Sequence, residues 1–383
     1  MITPWPESKI SDVATMIDYR GKTPQKSTSG IPLITAKIIK NGIILPASEF
    51  ISEEKYTSWM TRGYPQTGDV VMTTEAPLGE VAQIQDPHVA LAQRVITIRG
   101  KKDCLDNGYL KYFLQSTEGQ GRLHARESGT TVTGIKAAEL REILIPLPQM
   151  DTQRKIAKVL AGLDDKIQKN AQINQNLEAQ AQAIFKSWFV DFDPFRNGKF
   201  VDSELGPIPV GWRSGTLKEM LDIRYGKDHK RLSDGTIPVY GSGGLMRLAD
   251  KALYSGESVL IPRKGTLNNV MRVSGDFWTV DTMFYSVPKC KGAIKFAFHI
   301  LRNMDLASMN SGSAVPSMTT DILNAIDIVI PPQSVLASFE GTTNALWNLY
   351  GANLQESNRL AALRDTLLPK LMSGEIDVSE IEV

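Results

Sequence analysis

Two long stretches of the chain place mostly apolar residues at alternating spacings of four and three. In the first stretch these positions are Ile156, Leu160, Leu163, Ile167, Leu177, Ala181, Ile184 and Trp188. In the second they are Phe339, Thr343, Leu346, Tyr350, Leu360, Leu367 and Leu371, with Arg364 as the odd member. This heptad pattern is typical of a long helix that packs along another helix. The sequence therefore predicts two long helices, one in each half of the chain.

Polar residues interrupt both patterns near the middle. Asn170 and Asn174 do so in the first helix, and Asn353 and Ser357 do so in the second. If the helices pair antiparallel, both interruptions meet at the midpoint. A buried polar layer would fix the register, because a slip leaves its amide groups unpaired against leucine. The alternative is that these residues are exposed on a frayed part of the helix; the repetition favours the register role.

The rest of the chain alternates short β-branched runs with glycine and proline, which is typical of strands and turns. Segments of one half are echoed in the other: "DYRGKTPQK" from Asp18 by "DIRYGKDHK" from Asp222, and "SGTTVTGIKAAEL" from Ser128 by "SGSAVPSMTTDIL" from Ser311. We therefore predict an α+β fold of two similar α/β domains, joined by two antiparallel coiled-coil helices in a pseudo-two-fold internal repeat. Two related, separated surfaces suit a ligand with two related features, and duplex DNA is such a ligand.

The predicted organisation has five parts, which together account for nearly the whole chain. They are a first domain over residues 1–150, a central spacer helix over 151–192, a linker over 193–210, a second domain over 211–332, and a distal spacer helix with the C-terminal tail over 333–374.

Composition narrows the class of protein. A chain of 383 residues exceeds one ordinary core, and its 42% apolar and 22% charged residues are those of a globular protein. The apolar runs are too short for a membrane span and the N-terminus has no signal pattern, so we expect a cytoplasmic protein without membrane contact. Two cysteines, one in each half, predict neither a disulfide framework nor a zinc site. A net charge of +1 leaves DNA contacts to local patches or to partner subunits.

Candidate DNA-binding residues fall in loops that occur in both halves. Basic turns suit phosphates, arginine and asparagine suit guanine and adenine edges, and hydroxyls hold phosphates or cap turns. Charge runs are usually plain solvated surface, but because the same basic turn occurs twice, contact with DNA and a solvated surface both stay open. The basic turns carry Arg20, Lys22 and Lys26 in the first half, and Lys227, Lys230 and Arg231 in the second. The "PRKGTLNN" segment carries Arg263, Lys264, Asn268 and Asn269, where the first half has Thr74 and Glu75, so the two domains should read different bases. The polar loops before each helix carry Thr130, Thr131 and Lys136, and Ser311 and Ser313.

Apparent catalytic motifs in the sequence are incomplete. The Gly-Lys-Thr at Gly21 lacks the earlier glycine of a phosphate-binding loop, because Met16 stands there. The "DFDPF" at Asp191 has one proline where the D-P-P-F of amino-group DNA methyltransferases has two, and we predict a structural helix exit there. The four histidines show neither metal-ligand nor triad spacing. We therefore predict no catalytic residue and no metal site in this chain.

Three segments carry a resemblance to a known family. They are "IPLP...Q..IA..L..LD.KI" at Ile145–Ile167, "FKSWFVDFDPF" at Phe185–Phe195 and the tail "LLPKLMSGEIDV". Together they resemble the specificity subunits of type I restriction-modification systems, over almost the whole chain. The resemblance implies two target-recognition domains that each read one half of a split, asymmetric DNA sequence, with the helices as the spacer.

The resemblance also implies partners and cofactors. Such a subunit is not catalytic itself, but binds double-stranded DNA and recruits two methyltransferase subunits and two ATP-dependent restriction/translocase subunits. The complex then carries adenine methyltransferase and endonuclease activity, with S-adenosylmethionine, ATP and Mg on the partner subunits and none on this chain. Two alternatives remain open: a coiled-coil scaffold that binds only proteins, which leaves the repeated basic turns unexplained, and a self-contained enzyme with an unrecognised site.

Overall fold

The computed structural model describes residues 5–129, 133–309 and 317–382 of the chain. The chain forms two compact units: unit 1 comprises Met1–Ala171 and Leu354–Val383, and unit 2 comprises Gln172–Asn353. The predicted five-part division therefore differs from the division into compact units, because each unit takes in parts of the long helices.

Unit 1 combines short strands with short helices that precede the first long helix. Its strands are β1 (Glu7–Lys9), β2 (Ala14–Asp18), β3 (Ile31–Ile34), β4 (Ile39–Lys40), β5 (Ile43–Ile44), β6 (Phe50–Ile51), β7 (Val70–Thr74), β8 (Leu78–Gln83), β9 (Ala90–Leu91), β10 (Val95–Gly100) and β11 (Leu144–Pro146). Its helices are α1 (Ile10–Val13), α2 (Glu53–Trp59), α3 (Asn107–Gln115), α4 (Thr117–His124) and α5 (Ala137–Arg141), with a 3₁₀ turn at Ala36–Ile38.

A four-stranded antiparallel sheet organises the core of unit 1. Its strand order is β2-β10-β7-β8, and β3 pairs with β6 and β9 in a second sheet. Buried β-branched residues such as Val70 and Ile96 pack against Tyr109 and Phe113 of α3. Helix α3 begins where the side chain of Asp106 accepts a hydrogen bond from the Tyr109 amide, a typical N-cap.

Unit 2 repeats this plan with additional strands. Its strands are β12 (Phe200–Val201), β13 (Ile208–Pro209), β14 (Arg213–Thr216), β15 (Leu221–Tyr225), β16 (Ile237–Gly241), β17 (Gly244–Ala249), β18 (Tyr254–Ser255), β19 (Ser258–Pro262), β20 (Met271–Val273), β21 (Asp276–Thr279), β22 (Met283–Pro288) and β23 (Asp327–Ile330). Its short helices are α7 (Leu217–Met220), α8 (Ala293–Asn303) and α9 (Thr320–Asn324), with a 3₁₀ turn at Asp193–Phe195.

The strand order of unit 2 confirms the predicted duplication. Its antiparallel sheet β15-β22-β19-β20 matches β2-β10-β7-β8 strand for strand, and β14-β23 matches the pair β1-β11. The second sheets differ, because unit 2 has β17-β16-β21-β18 where unit 1 has β6-β3-β9. The two halves therefore share a framework and diverge in the strands added to it.

Two helices of 40 residues carry the heptad patterns: α6 (Met150–Phe189) and α10 (Gln333–Met372). Within unit 1, Ile156 and Leu160 of α6 share a core with Leu371 of α10. Within unit 2, Phe185 of α6 packs against Phe339 of α10 with ring centroids 6.1 Å apart. The long helices are thus confirmed, while their coiled-coil geometry stays a prediction.

Candidate nucleic-acid interface

The basic turn of unit 1 follows β2 and is tied to the chain before α5. Arg20 forms a fork on Asp18, with Nη2 donating to Oδ2 at 2.8 Å and Nε to Oδ1 at 3.1 Å. Its Nη1 donates to the carbonyl oxygen of Ile135 at 2.7 Å. Burial opposes ionisation of Asp18, but the bonds from Arg20 hold the pKa of this carboxyl below its usual value. The guanidinium of Arg20 is therefore occupied by bonds within the fold. These bonds join the basic turn to the loop before α5, which are two of the predicted DNA-binding segments.

The end of β7 also contacts the loop before α5. The carbonyl oxygen of Thr74 accepts a hydrogen bond from the Ile135 amide at 3.0 Å, and Glu75 forms a bridge with Gly134. Thr74 is only 2% exposed, so its side chain is buried here and its predicted contact with DNA stays a prediction. The inward position follows from the strand, since β7 is buried along its whole length. Arg94, whose Nε lies 2.8 Å from Glu75, is the exposed cation beside this strand end.

The other predicted residues of unit 1 differ in their availability. Lys22 and Lys136 are exposed and form no ion pair or hydrogen bond through their side chains with the residues described. Lys26 is exposed and its Nζ lies 2.8 Å from Glu49 Oε2. Thr130 and Thr131 lie outside the described residues. As far as the described residues extend, the ammonium groups of Lys22 and Lys136 are thus open to a phosphate.

Unit 2 repeats the strand-end arrangement with different side chains. Arg224 donates to Asp222 at 2.8 Å, as Arg20 does to Asp18. The carbonyl oxygen of Arg263 accepts from the Met318 amide at 2.8 Å, and Lys264 bridges Ser317, as Thr74 and Glu75 do with their own loop. Equivalent positions therefore carry Thr-Glu in unit 1 and Arg-Lys in unit 2.

The basic turn of unit 2 contains Lys227, Lys230 and Arg231, all exposed. The backbone anchors it, because the Lys227 amide donates to the Thr279 carbonyl and its carbonyl accepts from Trp278 Nε1, both at 2.9 Å. The side chains of these three cations form no hydrogen bond or ion pair with the part of the chain that is described.

In the segment 262–269, some side chains are exposed and others are hydrogen-bonded within the protein. Arg263 lies over the ring of Tyr225, with its guanidinium carbon 5.4 Å from the ring centroid, and Nη1 donates to the Asp281 carbonyl at 3.2 Å. Lys264 is exposed. Asn268 uses both amide atoms internally, donating to Asp305 Oδ1 and accepting from the Ala307 amide, each at 2.9 Å.

Asn269 completes this segment by donating to the Ser242 carbonyl at 2.8 Å. Internal bonds of this kind shape the loop, so Arg263 and Lys264 are the stronger candidates for base or phosphate contact. Ser311 and Ser313, the remaining predicted residues of unit 2, lie outside the described residues.

Tyr225 is a candidate that sequence reasoning missed. It is half exposed, packs edge-to-face against Phe284 with ring centroids 5.0 Å apart, and lies beneath the guanidinium of Arg263. The Asp-x-Arg pairs at Asp18 and Asp222 are a second feature of this kind. Both lie inside the segments that are echoed between the two halves, so the sequence does contain a signal for them.

The polar residues of the long helices are in contact within each unit. In unit 2, Asn353 Nδ2 donates to Asn174 Oδ1 at 2.9 Å, and Asn174 Nδ2 donates to the Tyr350 carbonyl at 3.2 Å. In unit 1, Asn170 Nδ2 donates to Glu356 Oε2 at 2.7 Å and to Ser357 Oγ at 3.3 Å. Ser357 is half-buried and the three asparagines are buried. The contacts match the antiparallel pairing used for the prediction; the role in fixing register stays a prediction.

The segment that contains the DFDPF sequence forms the exit from α6. The segment after α6 turns through Phe192 in the left-handed region, and the rings of Phe192 and Phe195 pack against Trp212. Within residues 5–129, 133–309 and 317–382, no group of three or more His, Cys, Asp or Glu side chains is arranged to hold a metal ion. In the same residues, no helix is long and apolar enough to cross a membrane.

Two units with one strand order, each with a basic turn at the end of its first sheet strand, define a duplicated protein with two related surfaces. The chain matches the family described as type I restriction modification DNA specificity domain, over residues 3–179 and again over 209–335. These matches cover well over half of the chain, so it belongs to this family, and the predicted resemblance is confirmed.

Individual relatives agree with this assignment. The specificity subunit of type I restriction enzyme MjaIX from Methanocaldococcus jannaschii is 28% identical over 418 residues, which cover 98% of this chain and 94% of that subunit. The EcoprrI specificity subunit from Escherichia coli is 24% identical over 335 residues, covering 81% and 80% of the two chains. The crystal structure of the S subunit of a type I restriction-modification system from M. genitalium shares the fold, with a TM-score of 0.56 at 16% identity over 97% of this chain and 99% of that one.

Proposed function

We propose that this chain is the non-catalytic, sequence-reading subunit of a type I restriction-modification enzyme. Unit 1 reads one half of a bipartite, asymmetric DNA target and unit 2 reads the other. Matches to the DNA specificity family in both halves support this reading, as do relatives named as specificity subunits of type I restriction enzymes.

The repeated strand end is the observation that carries the proposal. In both units the loop before α5 or α9 hydrogen-bonds the end of a sheet strand, and an exposed basic turn follows the first strand of that sheet. The backbone arrangement is shared, but the strand end carries Glu75 beside the buried Thr74 in one unit and Arg263 with Lys264 in the other. A common scaffold with different side chains suits two half-sites of different sequence, because phosphate contacts position a protein and base contacts specify it.

The proposal extends to partners and cofactors. Two methyltransferase subunits and two restriction/translocase subunits would assemble with this chain on double-stranded DNA. S-adenosylmethionine, ATP and Mg would then be bound by those partners. A protein scaffold without DNA specificity is less consistent with exposed basic turns in both units.

Co-expression with a type I methyltransferase subunit from the same organism tests the proposal. We expect the two proteins to purify as a complex, and a host that expresses both to gain adenine methylation at one bipartite motif. Omitting this chain while keeping the methyltransferase should abolish the motif. Methylation at the same motif without this chain would overturn the proposal.

A chimaera identifies the unit that reads each half-site. Replacing residues 211–332 with the equivalent residues of another specificity subunit should change one half-site of the motif and leave the other intact. A chimaera that changes both half-sites, or neither, would contradict the division of reading between the units.

A further inference from the structure

An exposed apolar strand lies at one end of the second sheet of unit 2. Strand β17 is terminal in the order β17-β16-β21-β18. Its residues Leu245, Met246 and Leu248 are 57%, 56% and 46% exposed. Adjacent apolar side chains on a sheet edge favour aggregation unless they are covered, so such a patch indicates a binding surface.

Hydrogen bonds connect this strand to the basic turn. Arg247 of β17 donates from Nη2 to the carbonyl oxygens of Leu232 and Ser233, at 2.7 and 3.2 Å. These two residues directly follow Arg231 of the basic turn. The apolar strand therefore lies beside the cations of residues 227–231.

The other end of the strand adjoins the segment 262–269. A Cβ atom at Gly241 would clash with Met246 Sδ, so the methionine covers this glycine at the hairpin turn. The next residue, Ser242, accepts a hydrogen bond from Asn269 through its carbonyl oxygen. The apolar side chains thus lie between two segments that carry candidate DNA contacts.

A β-bulge interrupts the pairing of β16 and β17 between Val239 and Tyr240, opposite Leu245 and Arg247. A bulge bends a strand and redirects the side chains beside it. Here it accompanies the change from buried Ala249 at one end of β17 to exposed Leu245 at the other.

Charge decides which partner this patch fits. The flanking segments present the exposed cations Lys227, Lys230, Arg231 and Lys264, and the segment 262–269 contains no acidic residue. Asp228 in the turn accepts from the Lys230 amide, and Asp234 just beyond it lies 3.5 Å from Arg247 Nη2. Apolar side chains among cations fit a polyanion with apolar groups of its own. In the major groove of DNA, the C5-methyl group of thymine is that group.

We propose that Leu245 and Met246 contact the C5-methyl group of a thymine in the half-site read by unit 2. This inference rests on the proposed function. Burying one methyl group contributes about 0.8 kcal/mol, which corresponds to about a fourfold change in affinity.

Uracil substitution tests the contact, because deoxyuridine differs from thymidine only by this methyl group. After the methylated motif has been mapped, each thymine in it is replaced singly, and binding to the complex of this chain with its methyltransferase partner is measured. We expect about a fourfold loss at one thymine or more in a single half-site. In Leu245→Ala with Met246→Ala, the thymine and uracil duplexes should bind equally.

Val210→Ala is the matched control, because Val210 is also 57% exposed but lies outside β17, the basic turn and the segment 262–269. It should keep the fourfold preference for thymine. A motif without a thymine in either half-site, a motif insensitive to uracil, or an unchanged preference in the double variant would overturn the inference. A double variant that no longer assembles with the methyltransferase would assign the patch to a protein contact instead. If the wild-type complex methylates no defined motif, the proposed function itself fails.

Discussion

Two cations that lie two residues apart can have different roles, as the basic turn of unit 1 shows. Arg20 is part-buried, and its guanidinium donates hydrogen bonds to the Asp18 carboxylate and to the Ile135 carbonyl. Lys22 is exposed, and no described residue pairs with its ammonium group. Removing Arg20 would leave the half-buried Asp18 carboxylate unpaired and loosen the joint to residue 135, whereas removing Lys22 leaves the fold intact.

We therefore expect Lys22→Ala or Lys227→Ala to weaken DNA binding by the assembled enzyme for all sequences alike. A phosphate contact contributes through release of a counterion, so each change should reduce the slope of log affinity against log salt by about 0.9. Titrations of a specific and a random duplex at several salt concentrations measure this.

Lys186→Ala is a control from a position outside the basic turns, where Nζ pairs with Asp191. It should leave the salt slope unchanged. An altered methylation motif in Lys22→Ala, with the salt slope of the wild type, would show that this lysine reads bases and not phosphates.

The sequence predicts the location of the candidate site better than the role of each side chain. The echoed segments identify both basic turns, because the duplicated halves have kept a recognisable sequence similarity there. Arg20 hydrogen-bonds Ile135, which is 115 positions away, and Asn268 hydrogen-bonds Asp305, which is 37 positions away. A local sequence pattern does not contain such distant partners. Burial of Thr74 likewise follows from the sheet that covers β7.

A buried histidine on α8 joins the elements of unit 2. His299 is fully buried, its Nδ1 lies 2.7 Å from Gln182 Oε1 of α6, and its ring stacks on Phe185 at 5.2 Å. Burial, together with the nearby charge of Arg272, lowers the pKa of His299 to about 4. The imidazole is therefore neutral in the folded protein at neutral pH.

This histidine predicts a loss of stability in mild acid. The unfolded chain binds the proton near pH 6.5 and the folded chain only near pH 4, so protonation favours unfolding as the pH falls between these values. The contribution is complete above pH 6.5 and decreases by up to about 3 kcal/mol by pH 4. Urea unfolding of wild type and His299→Gln over this range measures the difference. Parallel pH profiles would contradict the assignment.

The pair formed by Asn174 and Asn353 gives a second prediction for the helices. Asn174→Leu removes one acceptor of the buried Asn353 amide, which should cost about 1–3 kcal/mol. Replacing both asparagines by leucine removes the donor and the acceptor together. The double variant should therefore lose less stability than the sum of the single variants, by about 1 kcal/mol. Additive losses in the free energy of unfolding would mean that the two amides are not coupled.

At the scale of elements, heptad spacing predicts both long helices but not the full contact surface. Phe185 and Phe189 are more buried than the seam residues Ile184 and Trp188. An α-helix has 3.6 residues per turn and drifts by about 20° per heptad against a 3.5-residue pattern, so neighbouring positions turn inward over several turns. Aromatic residues from α8 and α10 then enclose them.

For the whole molecule, the sequence predicts the duplication but not the second sheet of each unit. The pairing of β16 with β21 joins Val239 to Trp278, and several strands have only two residues. Such short strands leave no periodic signal, and their partners are set by tertiary contacts.

Net charge gives a prediction for the isolated chain. With a charge of +1 the whole molecule releases few counterions on binding DNA. We expect the purified chain to bind its target weakly at physiological salt, and binding to strengthen when the methyltransferase subunits are added. Electrophoretic mobility shifts with and without the partner measure this. Tight specific binding by the chain alone would contradict it.

The long helices make the spacing of the two half-sites testable. Residues 150–171 of α6 belong to unit 1 and residues 172–189 to unit 2, and α10 divides in the same way. If these helices are the spacer, four residues inserted after Asn174 and four after Asn353 lengthen it by about 6 Å. Base pairs stack at roughly 3.4 Å, so the half-sites should separate by about two base pairs with their sequences unchanged.

The rotations that accompany this insertion set its expected activity. Four residues turn a helix by roughly 40° beyond a full revolution, whereas two base pairs turn the duplex by roughly 70°. The difference of about 30° must be absorbed by the domains, so we expect reduced methylation at a motif with a longer spacer. Inserting four residues into only one helix is the control, and it should abolish activity because the paired seams no longer match. Genome-wide methylation mapping decides the outcome, since an active double insertion that keeps the original spacing would show that the helices do not set it.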